Sequence, residues 1–176
     1  DVANWRRKKP KLDISAFPGF SGMNPNGRKR QVALFEGLDE FGRLQPLLGA
    51  AAKHSDRGLY PAYTWSEPTT EFPVAGTTEE WHILNFSADA HPIHLHLVNF
   101  EIVRDFTFTY KTDGDQVTQQ HNGSTGVAPK ITYVSDFEYI ERDGVYYDGS
   151  PKDMVVVLPG DPDALEGRGT VIRAKF

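Results

Sequence analysis

The stretch that most constrains this chain is His91-Pro92-Ile93-His94-Leu95-His96-Leu97-Val98-Asn99-Phe100-Glu101-Ile102-Val103, which holds three of the six histidines. It is apolar and branched, and reads as a strand meant for burial. Side chains alternate along a strand, so His94 and His96 share a face on which Val98, Phe100 and Ile102 follow. His91 has the opposite parity, and Pro92 marks the strand entry. Imidazoles on an apolar face are costly unless their nitrogens are bonded. A carboxylate or carbonyl can satisfy one histidine; three at this spacing point to a metal.

Around this run the chain is punctuated by Gly and Pro, with many short β-rich segments and almost no helical period. Residues 31–36 alternate well enough for a strand, and 37–42 supply a turn before a second strand at 43–48. Residues 49–73, rich in Ala, Pro and Thr, read as a loop crossing between sheets, with Trp65 in a core or lid role. Residues 80–86 form a strand ended by the Ser87-Ala88-Asp89-Ala90 turn. From 105 to 151 the pattern loosens into a long loop, with Asp113-Gly114, Asn122-Gly123 and Asp148-Gly149 as turn signals and one short helical turn at 136–142. Residues 154–158 and 170–176 close the chain as strands. The sum is an all-β, antiparallel Greek-key β-sandwich.

The chain of 176 residues, 39% of them hydrophobic, can bury one substantial core at 31–176. No apolar run approaches the ~18 residues of a spanning helix. Residues 1–11 are polar and basic, and the first residue is not Met, as in a mature or cleaved product. With no cysteine, disulfides, zinc–thiolate sites, cysteine nucleophiles and a self-contained blue-copper centre are excluded. Residues 1–30 carry eight Lys or Arg against two Asp, a balance of +6 that leaves −11 for the rest of a chain at −5. No aromatics interleave Arg6, Arg7, Lys8, Lys9 and Lys11 to stack on bases. Residues 1–30 therefore read as a basic linker or arm, with neither nucleic acid nor membrane as partner.

His91-Pro-x-His94-x-His96 resembles the first histidine motif of the last cupredoxin domain in multicopper oxidases, the laccase group. The likeness extends through Glu79-Glu80-Trp81-His82-Ile83-Leu84-Asn85-Phe86. Leu34-Phe35-Glu36-Gly37 and Phe41 to Gly49 look like the opening strands of that domain, and Lys152 to Gly160 and Val171 to Phe176 like its later ones. Leu97 stands where fungal and plant laccases usually carry glycine, a form closest to bacterial spore-coat laccase and bilirubin oxidase. The family pattern continues, past the position of Phe176, into a His-Cys-His strand. The resemblance thus implies a cupredoxin-like sandwich incomplete at its C-terminal edge, with an open edge beside Val171 and Ile172.

The resemblance also implies copper as the cofactor: His91 as a ligand of the type 1 centre, His94 of type 2 and His96 of type 3. There are no catalytic residues beyond these ligands. Asp153, after Lys152, would be an outer support for a ligand or loop; otherwise it is a strand-entry ion pair. The implied activity is single-electron oxidation of phenols, aromatic amines, pigments or metal ions, with reduction of O2 to water. The remaining segments of the same oxidase would be partners, and an extracellular, periplasmic or spore-coat location would follow. The isolated chain should be inactive. The alternative is a non-catalytic metal-binding or scaffold domain. A zinc hydrolase would need a carboxylate base near His94 and His96, and Glu101 falls on the other face. His82 reads as a half-buried strand imidazole, and His54 and His121 as solvated loop residues. Of the two glycosylation sequons, Asn85 falls in a buried strand and Asn122 in a loop.

Overall fold

The computed structural model describes residues 27–52, 55–119, 125–140 and 150–176. Among the described residues ten strands follow in order: β1 Lys29–Asp39, β2 Leu44–Ala50, β3 Ala62–Tyr63, β4 Thr78–Asn85 and β5 His91–His94. After them come β6 Phe100–Gln119, β7 Thr125–Val134, β8 Glu138–Ile140, β9 Met154–Val157 and β10 Glu166–Lys175, with a 3-10 turn at Pro162–Ala164. The protein is all-β and cupredoxin-like. No helix among the described residues is long and apolar enough to cross a membrane.

The main sheet runs β3-β2-β1-β4-β10-β6-β7, and β7 returns to β1 through Leu38↔Val127, so five strands close a ring. One edge of β1 is taken by β2 and the other is shared by β4 and β7. The β1–β4 pair is parallel, Lys29↔Glu80 to Leu34↔Asn85; the other pairings are antiparallel. Closure removes the exposed edges that an open sheet would leave.

Strand alternation fills both sides of the ring wall. Ala33, Phe35, Leu84, Phe86, Phe106, Phe108, Ile131 and Val171 make the interior core. Leu34, Trp81, Ile83, Phe100, Ile102 and Ile172 face outward beneath Val155 and Val157 of β9. Period-2 alternation alone would send Ile102 and Phe106 to one side. The pairings slip between Val171↔Arg104 and Ile172↔Ile102, so Val103 is an extra residue and β6 changes face there. Gly167 and Gly169 leave room on β10 for the rings of Phe108 and Phe106, which a Cβ would meet.

Several sequence expectations are corrected here. Most of 105–151 is strand: Phe106, Phe108 and Tyr110 alternate inward along β6, and β7 and β8 pair with it. Residues 138–140 are β8, not a helical turn. The 49–73 loop contains the two-residue β3. Trp65 is 98% exposed, so it is not core. Val171 and Ile172 border no open edge, because β10 is flanked by β4 and β6 and both side chains are buried. The arm up to residue 26, His54, His121, the Asn122-Gly123 and Asp148-Gly149 turns and residues 141–142 lie outside the described residues.

Candidate metal centre

The run 91–103 is two strands with a knuckle between them. β5 pairs with β9 in a separate two-stranded ribbon, His91↔Val157 to His94↔Met154. Leu97 then adopts φ +68° with its side chain fully exposed, and β6 begins at Phe100. A left-handed Leu costs what Gly would not. Parity survives as far as the knuckle: His94 and His96 are both exposed, while His91 and Ile93 are half-buried. It fails beyond it, since Phe100 and Ile102 are buried whereas the two histidines face solvent.

The entry to β5 is built on Asn85, the last residue of β4 and fully buried. Its Nδ2 donates to the carbonyls of Asp89 (2.8 Å) and Leu158 (3.0 Å). Its Oδ1 accepts from the Ser87 amide (2.9 Å) and hydroxyl (2.8 Å). With all these bonds made inside the fold, Asn85 is not an available glycosylation site. The turn it fixes places Ser87 Oγ 2.7 Å from His91 Nε2, with Glu36 Oε1 3.7 Å from the same nitrogen. Burial holds the His91 imidazole below its ordinary value, against the pull of Asp89. Burial, and then the Asp89 carboxyl beside it, raises Glu36.

His94 is held from the other side of the ribbon. Its Nδ1 lies 2.6 Å from the Asp153 carbonyl, which can only accept, so Nδ1 carries a proton and the neutral form of the ring has its lone pair on Nε2. The contact of Asp153 with a histidine thus runs through its backbone, not its carboxylate. Neighbouring Lys152 Nζ donates to Ser150 Oγ. The His94 and His96 rings stand 5.0 Å apart at 62°. An apolar groove of about 730 Å³ opens beside them, lined by Leu34, Leu48, Trp65, Ile83, Ile93 and His94 among others.

His82 is elsewhere. Its Nε2 meets Glu80 Oε1 at 3.1 Å, its ring lies against Phe106 and Phe137, and its Nδ1 is buried without a partner. Sequence reasoning missed Ser87 and Glu36. The Asn85-x-Ser87 turn before a histidine was the available signal for the first, whereas Glu36 reaches His91 only through the fold.

Neutral imidazoles with an open nitrogen suit copper. Among the described residues no group of three or more His, Cys, Asp or Glu could hold a metal ion by itself. The donors present fit part of a ligand set.

Comparison with known proteins agrees with this chemistry. The chain is 54% identical over 111 residues to a laccase of Bacillus subtilis (strain 168), covering 58% of this chain and 19% of that protein. It is 53% identical over 88 residues to multicopper oxidase LPR1 homolog 3 of Oryza sativa subsp. japonica, covering 50% and 15%. With a laccase of Bacillus stratosphericus the identity is 45% over 92 residues, covering 51% and 16%. The chain therefore spans less than a fifth of the length of these relatives. The multicopper oxidase domain model matches residues 47–159. Ribbon, histidines and matched span together place this chain in the multicopper oxidase family, among its laccase-like members.

Proposed function

We propose that this chain is the part of a laccase-like oxidase that supplies His91 to a type 1, His94 to a type 2 and His96 to a type 3 copper. The oxidase takes single electrons from phenolic, aromatic-amine, pigment or metal-ion substrates and reduces O2 to water. The observation that carries this reading is the pair of exposed imidazoles 5.0 Å apart, one with its Nδ1 engaged by a carbonyl and its Nε2 open. Copper, when bound, supplies the one-electron redox chemistry. The chain's own residues hold and aim donors: the Asp153 carbonyl fixes the His94 ring, and β9 pins the strand that carries both His91 and His94. The remaining ligands, a thiolate included, come from other segments of the oxidase, since the chain has no cysteine.

The test is made on the full-length parent. Copper content, blue absorbance and copper-dependent oxygen uptake are expected. In His94→Ala and His96→Ala oxygen uptake should be abolished while the fold is kept, because both side chains are exposed. A wild-type parent with no copper and no oxygen uptake would overturn the reading. A non-catalytic metal-binding role is favoured by one observation, the lack of a three-ligand group among the described residues. It predicts a parent that binds metal without consuming oxygen.

A further inference from the structure

We infer that Ser87 is a positioning residue for copper at His91: its hydroxyl, aimed by Asn85, holds the ring in the Nε2–H form and leaves Nδ1 as the donor. The inference rests on the copper reading above and adds which nitrogen is offered and what selects it.

The orientation of the Asn85 amide is fixed because Nδ2 faces two carbonyls at 2.8 and 3.0 Å. Oδ1 must then be the atom facing Ser87, and it accepts from the Ser87 hydroxyl at 2.8 Å. A serine has one hydroxyl proton. Asn85 Oδ1 at 2.8 Å, the Asp89 carbonyl at 3.3 Å and His91 Nε2 at 2.7 Å all face that hydroxyl; only the ring nitrogen can bring a proton of its own, so the short oxygen–oxygen contact with Asn85 takes the hydroxyl proton. The 2.7 Å contact between Ser87 Oγ and His91 Nε2 therefore needs its proton from the ring. Glu36 Oε1, 3.7 Å from the same nitrogen, favours that proton as well. No described residue hydrogen-bonds His91 Nδ1, which keeps its lone pair.

His94, three residues on, is the mirror case, with Nδ1 donating to Asp153 and Nε2 open. Nδ1 sits next to Cγ and Nε2 at the far side of the ring. The open nitrogen of His91 is thus the one nearer its own main chain, and that of His94 the one farther from it. One four-residue strand so offers donors at two depths and on two faces.

The experiment reads the tautomers directly, by 15N NMR of histidine-labelled, metal-free 176-residue chain at a pH where the rings are neutral. His91 is expected as Nε2–H and His94 as Nδ1–H. In Ser87→Ala, His91 should become a mixture of tautomers while His94, an internal check on the fold, stays unchanged; Ser87→Thr should restore the single form. An Nδ1–H His91 in the wild type, or a Ser87→Ala chain still wholly Nε2–H, overturns the assignment. In the parent oxidase, Ser87→Ala should lower copper affinity about 10–100-fold, read by competition with a chelator. A wild-type parent that binds no copper overturns the copper reading and His91 as donor together. An unchanged affinity in Ser87→Ala of a copper-binding parent overturns the role of Ser87 alone.

Discussion

The ring and the histidine ribbon are held by different means. In the ring, aromatic side chains pack on one another: Phe35 on Phe86 at 5.1 Å, Phe86 against Tyr110 at 5.0 Å, Phe106 on Phe137 at 4.3 Å. The ribbon is two four-residue strands, and only its inward residues reach the second core. Its exposed face carries His94 and Met154. The difference separates two tasks. Burial supplies stability in the ring, while exposure in the ribbon keeps imidazole nitrogens available at little cost to the fold.

Because burial holds the ring, substitutions there should be the costly ones. Phe106→Ala, a fully buried ring between Gly169 and Phe137, should cost about 3–5 kcal/mol, read as a lower urea midpoint at unchanged slope.

A smaller loss, about 1–3 kcal/mol, is expected for Glu79→Gln, whose carboxylate accepts from Arg30 Nε at 2.6 Å and Trp81 Nε1 at 3.0 Å. The hydrogen bond from Arg30, against burial, holds Glu79 below its ordinary 4.5. Its folded value is the lower one, so its contribution is full above 4.5 and is lost as pH falls through that lower value. Thermal unfolding from about pH 6 to about pH 3 should show that decline, and Glu79→Gln should flatten it. Glu36, raised by burial and Asp89, acts the other way: its contribution is present at acid pH and lost as pH rises through its folded value.

Within the ribbon the effects should be small. Leu97→Gly removes a left-handed leucine whose side chain packs against nothing, and should leave the midpoint unchanged or raise stability by up to about 1 kcal/mol. Leu97→Val should lower it. Smallest of all, Trp65→Ala at the groove rim should stay within about 0.5 kcal/mol of wild type by the same denaturant assay. A larger loss would show that the rim carries fold stability after all.

Much of this was legible in the sequence. The β1–β2 hairpin, β4, β9, β10 and the opposite parities of His91 and His94 follow from period-2 alternation and turn residues. What was not legible has physical causes. Leu97 carries no glycine to announce a left-handed turn, so 91–103 read as one strand. Val103 bulges, and a bulge leaves no mark in composition while reversing every later face of β6. In β6 the Phe106-Thr-Phe-Thr-Tyr110 alternation was present, but the turn signal of Asp113-Gly114 outweighed it; Gly114, at φ +64°, accommodates an irregularity within the strand pairing. The bond to His91 comes from a turn and that to His94 from the residue before β9, some sixty residues on, and no spacing rule encodes either.

The parallel join of β1 to β4 and the return of β7 to β1 have a kinetic meaning. Leu38 must find Val127, and Lys29 must find Glu80, before the wall that supports the ribbon exists. Pairings so distant along the chain pay their loop-closure entropy early and make folding slow. Asp153 meets His94 only once β9 has crossed back to β5, so the nitrogen proposed to face copper is not yet oriented in the nascent chain. Metal supply should therefore leave the folding rate of this chain unchanged.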